Sequence, residues 1–378
     1  MRFVRGREAP SSTSRTSRTS RQSAPRALTA RREAERALLS APATLEPARD
    51  LVERYRDLGL QEVRLVRFDA PAYPRARVWA AVETLQLTGS FKIRGAVLAI
   101  ERRLAELRGE QVASGEPPVV IAASAGNHGI GVAYAARHLG VHAEIVVPRG
   151  AARTKVKKIQ AAGAKVIEAS GEGYDAAEAQ AIALAEARGA PFLSPYDDLD
   201  VLIGNGGSLG FEIARSLGKV PELVHCPIGG GGLAAGLASA LAFESGEGRR
   251  DIVVPVQSEA SCAFARSLAA DAAVTTLPPA ETLADGLEGG ISERAYERAR
   301  VFIDRAAVCT EVEIEQAMRF AAHELGLVVE GSAAVALVPA LVEDPPPDVG
   351  LADGADVVIV LTGRNVDAAR VARVVSSS

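Results

Sequence analysis

The sequence predicts an α/β fold, a mostly parallel sheet with helices on both faces. Two observations predict it. From about residue 77, short β-rich apolar runs alternate with amphipathic helical stretches, and parallel strands joined by crossover helices accommodate such alternation. Hydrophobic residues form 48% of the 378-residue chain, enough for a sizeable buried core.

The elements follow in order. Residues 1–27 stand apart: "SSTSRTSRTSRQSAPR" is rich in Arg, Ser and Thr and cannot bury apolar surface, so it reads as a disordered tail. A targeting peptide or a nucleic-acid-binding arm would share that composition; the absence of an apolar stripe among the arginines favours the solvated tail. Two helical stretches come next, "ALTARREAERALLS" and "EPARDLVERYRDLG". "RVWAAVETL" reads as a strand, and "SFKIRGAVLAIERRLAEL" as a helix with Ser90 at its N-cap. Strand "VVIAA" leads to helix "NHGIGVAYAARHLG", ending at Gly140. Then come strand "HAEIVVP", helix "ARTKVKKIQAAG", strand "AKVIEA" and helix "YDAAEAQAIALAEARG". A further helix runs through "GGSLGFEIARSLG". Strand "ELVHCPI" meets "GGGGLAAGLASALAF", and strands "DIVVPVQ", "AAVCTE" and "DVVIVL" complete the pattern with their helices.

Composition removes several classes of function. Aromatic residues are only 4%, which counts against aromatic-lined nucleic-acid or carbohydrate grooves. A formal net charge of −4 gives no polyanion-binding surface, so no nucleic-acid partner is expected. No apolar run reaches the roughly 18 residues of a membrane span. Cys226, Cys262 and Cys309 are isolated, which suggests neither a disulfide framework nor a cysteine-rich zinc site and places the chain in a reducing cytoplasm.

Three strand-to-helix turns carry chemistry: "LTGSFKIRG" (87–95), "ASAGNHGIG" (123–131) and "PIGGGGLAAG" (227–236). Ligands in such folds bind beyond the carboxyl ends of the strands. Lys92 falls at a helix start, where the dipole disfavours its ammonium form. Four glycines between a strand and a helix let backbone N–H groups cradle an anion. Gly230, Gly232 and Ala235 also match G-x-G-x-x-A, with Glu259 beyond, so a nicotinamide-dependent oxidoreductase is an alternative; it leaves Lys92 and Asn127 without work. Singly, Lys92 would be a surface lysine and Asn127 a helix cap. Together the three turns make a cofactor site for pyridoxal 5′-phosphate, held by its phosphate and by an imine to lysine.

The ordered motifs "TGSFKIRGA", "ASAGNHGIGVAYAA", "IGGGGLAAG", "ADGLEGG", "EGSAAVAL" and "LTGRN" resemble the fold type II (tryptophan synthase β-like) pyridoxal-phosphate enzymes, in their threonine/serine dehydratase branch. The resemblance spans about residues 75–367. It implies two open twisted, mostly parallel sheets. Residues 28–118 and 197–378 would form a large cofactor domain, and 119–196 a smaller mobile domain closing over substrate. A homodimer is the family's usual assembly.

The same resemblance implies site roles. Lys92, behind Phe91, forms the imine and removes the substrate Cα proton, and Asn127 meets the ring hydroxyl. Gly229, Gly230, Gly231 and Gly232, with the Leu233 N–H, hold the phosphate, and Thr362 meets the pyridine nitrogen. Ser124, Ala125, Gly126, Asn127 and His128 grip the substrate carboxylate. The implied reaction is β-elimination from threonine or serine, giving a 2-oxo acid and ammonia; β-replacement and 3-hydroxyaspartate dehydration use the same frame. A neutral hydroxyl at Thr362 favours prompt elimination over transamination.

Departures from the family pattern refine the expectation. Ala125 stands where related racemases carry a serine, so racemisation should be weak. Gln257 and Ala263 replace the carboxylates of metal-activated members, so no metal is expected there. Arg364 replaces a second glycine and either faces solvent or favours an acidic substrate, and Asn205 replaces a glutamine. The short run after "LTGRNVDAARVARVV" leads us to expect no regulatory domain.

Overall fold

The computed structural model describes residues 1–6, 23–114, 118–246, 252–342 and 350–376. Its strands are β1 (Arg2–Arg5), β2 (Arg64–Phe68), β3 (Arg77–Val82), β4 (Val119–Ala123), β5 (His142–Val147), β6 (Lys165–Glu168), β7 (Leu223–Pro227), β8 (Val253–Ser258), β9 (Arg305–Cys309) and β10 (Asp356–Leu361). They form a seven-stranded sheet, β1-β9-β8-β7-β10-β3-β2, and a three-stranded sheet, β4-β5-β6. β9, β8, β7, β10 and β3 are mutually parallel, and β1 and β2 close the edges antiparallel. The smaller sheet is wholly parallel. β7, β8 and β10 are buried along their whole length, which is why their sequences are continuous apolar runs rather than alternating ones.

Apolar side chains fill both faces of the larger sheet. The smaller sheet packs against the helix Gly173–Arg188 through Ile121, Val146, Ala177, Ala181 and Ala185, the alanines allowing close approach.

Three readings need correction. The disordered tail fails at its start: Arg2–Arg5 pair with β9 in register from Arg2–Val308 to Arg5–Arg305. Phe3 and Val4 each pack against a core cluster, and β9 offers them its unpaired edge. Residues 7–22 of that tail lie outside the described residues. The second helical stretch is broken, into Pro42–Arg49 and Leu51–Arg54, because Asp50 leaves helical dihedrals (φ −116°, ψ 22°). Ser90 is no N-cap. The Phe91 N–H donates to the Thr362 carbonyl (3.0 Å) and Ser90 bridges to Gly363, so the chain stays extended until the helix Lys92–Ser114 begins.

The chain order brings the carboxyl ends of β3, β4, β7 and β10 to one place. Each is followed by one of the motifs singled out above.

Candidate active site

Lys92 opens its helix at the end of the turn that follows β3. That turn is fixed by Gly89 (φ 75°), under which the Asn365 amide lies so closely that a Cβ would meet Oδ1 at 2.9 Å. Two residues on, the fully buried Arg94 points away from the cavity into the core. Its guanidinium forks onto Glu83 (2.7 and 2.8 Å) and Glu212 (2.8 and 3.0 Å) and also donates to Ser208 Oγ and the Gln61 carbonyl. The Gly95 N–H donates to Asn205 Oδ1 (2.9 Å). Asn205 sits in a π-helical turn, Ile203–Gly207, a local widening often found beside functional sites. The first turn of the Lys92 helix is thus held from behind by charge and from one side by an amide.

The Lys92 Nζ lies 5.1 Å from the centre of the Phe91 ring and 5.7 Å from that of Tyr196. Burial lowers its pKa to about 8, while the negative charge of Glu330 works in the opposite direction. The sequence pointed to the helix dipole as the cause; the structure adds desolvation by burial.

After β4, the Ser124 Oγ accepts from the Gly126 N–H (3.0 Å), bending the chain into the helix Asn127–Leu139. The first carbonyl of that helix serves Ile130, so the N–H groups of Asn127, His128 and Gly129 have no helical acceptor. The His128 Nε2 pairs with the Leu193 carbonyl (2.9 Å), which makes it the protonated nitrogen. Burial, then the Lys92 charge, lowers its pKa to about 3. Its buried Nδ1, left as an acceptor, has no partner among the described residues. The Asn127 Nδ2 donates to Glu330 Oε1 (2.7 Å), and its Oδ1 accepts from Asn365 Nδ2 (2.7 Å). Burial pushes the Glu330 carboxyl up to about 7, against the opposing bond from Asn127.

Beyond β7, Gly229 to Gly232 lead into the helix Gly232–Glu244, with Gly231 in the left-handed region (φ 87°). A Cβ at Gly230 would fall inside the Tyr196 ring, and one at Gly229 would meet Leu287 Cα at 3.2 Å. The cradle is steered by Gln257, whose Nε2 donates to the Ile228 carbonyl (2.9 Å) while its Oε1 accepts from the Ala265 N–H (3.0 Å). Ala263 simply opens the helix Ala263–Ala270.

All the sequence-predicted residues line one cavity of about 420 Å³: Phe91 and Lys92, Ser124 to His128, Gly229 to Leu233, and Thr362. Tyr196, Glu330, Lys155, Asp285 and Ser332 line it too and had received no role. Glu330 stood inside a quoted motif, but nothing local marks its function. Lys155 pairs with Asp285 (2.9 Å) and Lys158 donates to Asn365 (3.3 Å), linking the helix Arg153–Ala162 to the larger sheet's loops. Arg364 is exposed and lies outside the cavity lining.

These residues fit pyridoxal phosphate. A glycine cradle in which a Cβ at Gly229 or Gly230 would meet Leu287 or Tyr196 precedes a helix, and a desolvated amine shares its cavity.

The L-threonine ammonia-lyase of Thermotoga maritima is 35% identical over 300 residues, 79% of this chain and 70% of that protein. Among solved structures, the T.th. threonine deaminase aligns with a TM-score of 0.67 at 31% identity, covering 84% of this chain and 98% of that one. Maize serine racemase aligns with a TM-score of 0.73 at 25% identity, covering 87% and 95%. With residues 59–363 matching the family model and every element of the cofactor frame in one cavity, this chain belongs to the pyridoxal-phosphate dependent enzyme family.

Proposed function

We propose that this protein is a β-eliminating lyase that converts threonine or serine to a 2-oxo acid and ammonia. The observation that carries the reading is a desolvated amine, Lys92 Nζ, sharing one cavity with the glycine cradle and with Asn127 and His128, whose N–H groups have no helical acceptor. When bound, pyridoxal phosphate supplies an electron sink for charge developing at the substrate Cα.

The chain's own residues do the rest. Gly229 to Gly232 and the Leu233 N–H hold the phosphate, aided by the positive end of the helix Gly232–Glu244. Asn127, fixed by Glu330 and Asn365, keeps one Nδ2 hydrogen for the ring hydroxyl, and Thr362 offers a neutral hydroxyl to the pyridine nitrogen. Phe91 walls the amine. Ser124, with the N–H groups of Asn127 and His128 in the turn Ser124 to His128, orients the substrate carboxylate. Lys92 Nζ takes the Cα proton. With a pKa of about 8, about a tenth of it is neutral at pH 7, roughly 300 times the fraction of an ordinary lysine.

Ala125 cannot move a proton, so elimination should dominate over racemisation. The cavity supports a neutral substrate side chain over 3-hydroxyaspartate. Asp285, Glu288 and Glu330 line it, Lys155 is already paired with Asp285, and Arg364 lies outside. Residues 119–196 are proposed to close against 28–118 and 197–378, with Lys155–Asp285 and Lys158–Asn365 as contacts across the join. A homodimer is supported by the exposed Leu85 and Leu87 (43% and 51%) beside the Lys92 turn. Three buried, unpaired cysteines support a reducing cytoplasm, and no helix among the described residues is long and apolar enough to cross a membrane.

The test is borohydride reduction with peptide mapping, together with 2-oxo acid assays. We expect the trapped adduct at Lys92, 2-oxobutanoate from threonine and pyruvate from serine. An adduct elsewhere, or no 2-oxo acid from either, defeats the proposal.

A further inference from the structure

The helix Ser23–Ser40 lies outside residues 59–363, which match the family, yet its contacts run toward the site. Glu35 Oε2 pairs with Arg298 Nε (3.1 Å). Arg298 is fully buried, and its Nη1 donates to the Asp197 carbonyl (2.8 Å). Its Nη2 has no partner among the described residues. Asp197 directly follows Tyr196, whose ring lies on Gly230 and faces Lys92. Farther along the same helix, the Leu39 carbonyl accepts from Ser239 Oγ on the cradle helix Gly232–Glu244.

The turn carrying Tyr196 is short and polar. Ser194 Oγ accepts from the N–H groups of Tyr196 (3.4 Å) and Asp197 (3.1 Å), and Ser292 Oγ donates to the Asp197 carboxylate (2.9 Å). Asp198 pairs with Arg103 (2.7 Å). Arg298 adds a charge-assisted donor to the main chain beside the aromatic ring itself. Such a donor holds its place only while its charge is compensated, because a buried, unpaired guanidinium is driven toward other acceptors or water. Glu35 supplies that compensation; its other oxygen faces Arg294 Nε at 3.7 Å.

We propose that Glu35 and Arg298 are a positioning pair through which a helix outside the family core presses the Tyr196 wall against the Gly230 cradle. The inference rests on the reading of Gly229 to Gly232 as the phosphate site. Because the ring already lies where a residue-230 Cβ would be, a small displacement of Tyr196 changes the cradle's width directly.

The test uses the full-length protein and reads three quantities: the pyridoxal-phosphate dissociation constant by spectroscopic titration, kcat and KM at saturating cofactor, and the unfolding midpoint. Glu35→Ala should weaken cofactor binding about tenfold, the low end of what removing an outer partner costs at metal sites. At saturating cofactor, kcat should change less than about twofold. Glu35→Gln, which keeps an acceptor for Arg298 Nε but removes the compensating charge, should recover little of the affinity, and Arg294→Ala should behave as the parent. Arg298→Lys, which keeps the charge but not the fork, is the second variant and should show the same loss. Parent-like cofactor affinity in whichever of Glu35→Ala and Arg298→Lys folds overturns the inference, whatever happens to the unfolding midpoint. A parent protein with no borohydride-trapped adduct at Lys92 overturns the underlying reading, and this inference with it.

Discussion

Replacing Arg94 by methionine tests whether the charges behind Lys92 set the geometry of the helix. The substitution removes one buried cation from between Glu83 and Glu212, whose side chains are 0% and 3% exposed. Breaking a buried ion pair from one side costs about 3–5 kcal/mol, because the abandoned charges stay out of water. For 378 residues the unfolding entropy is about 0.8 kcal/mol/K, so the midpoint should fall by about 5 °C. The sign of the pH dependence provides a sharper check. Burial already raises the Glu83 pKa, and Arg94 is what opposes that rise; without it the carboxyl moves further up. A carboxyl raised in the folded state contributes stability that is fully present below its unfolded pKa and is lost as pH rises through the folded one. The deficit of the variant relative to the parent should therefore be smaller at pH 5 than at pH 8, measured by calorimetry across that range. A deficit equal at both values, or a fall of less than about 1 °C, refutes the assignment of a charged triad.

Other outcomes follow from the same geometry. Burial lowers His225 to about 4 and His128 to about 3, so both contribute stability that is present above about pH 6.5 and lost as pH falls toward those values. His225 sits between the Tyr73 hydroxyl (2.7 Å) and the Val254 carbonyl (3.1 Å), and His225→Gln should flatten the acid limb of a midpoint-against-pH curve; an unchanged limb counts against it. Gly230→Ala should abolish tight cofactor binding by driving a methyl into Tyr196, and the double variant with Tyr196→Ala should regain part of it; no regain in titration would place the clash elsewhere. Lys155→Met should change KM less than about fivefold, because the pair with Asp285 is over a third exposed on both sides and such pairs contribute little; a change beyond tenfold would mean that Lys155 touches substrate. The rate at which the cofactor-free protein captures pyridoxal phosphate at Lys92 should rise with pH through an inflection near 8, and Glu330→Gln should move it lower; an inflection near the ordinary 10.5 refutes the desolvated amine.

What the sequence made legible was chemistry carried by the backbone. A glycine run between a strand and a helix, or a lysine straight after a Thr-Gly-Ser turn, leaves a local pattern because local conformation is what the function requires. Glu330 and Tyr196 left none. Glu330 acts on Asn127 from 203 positions away, and Tyr196 is defined by the ring's contact with Gly230 across the cavity. The same reasoning covers the missed secondary structure. "RFVR" and "RLVRF" are short and flanked by arginine, and they become β1 and β2 because a sheet edge accepts them, not because of any strong period of their own. Ser90 had the right residue type for a cap, and lost the role to a backbone bond from Phe91 to the strand-end residue Thr362.

The two opposed shifts in the cavity have one origin and one consequence. Burial drives Lys92 down to about 8 and Glu330 up to about 7, because a poorly hydrated cavity penalises either charge. Had the carboxylate met the ammonium directly, mutual attraction would have undone both shifts and locked the lysine in its charged, unreactive form. Instead Glu330 Oε1 is taken by the Asn127 amide at 2.7 Å, and Asn127 is in turn held by Asn365. The carboxyl is close enough to influence the amine and is bonded to something else. That separation lets one side chain stay a usable amine near neutral pH while another fixes the Asn127 amide, the group proposed to meet the cofactor ring.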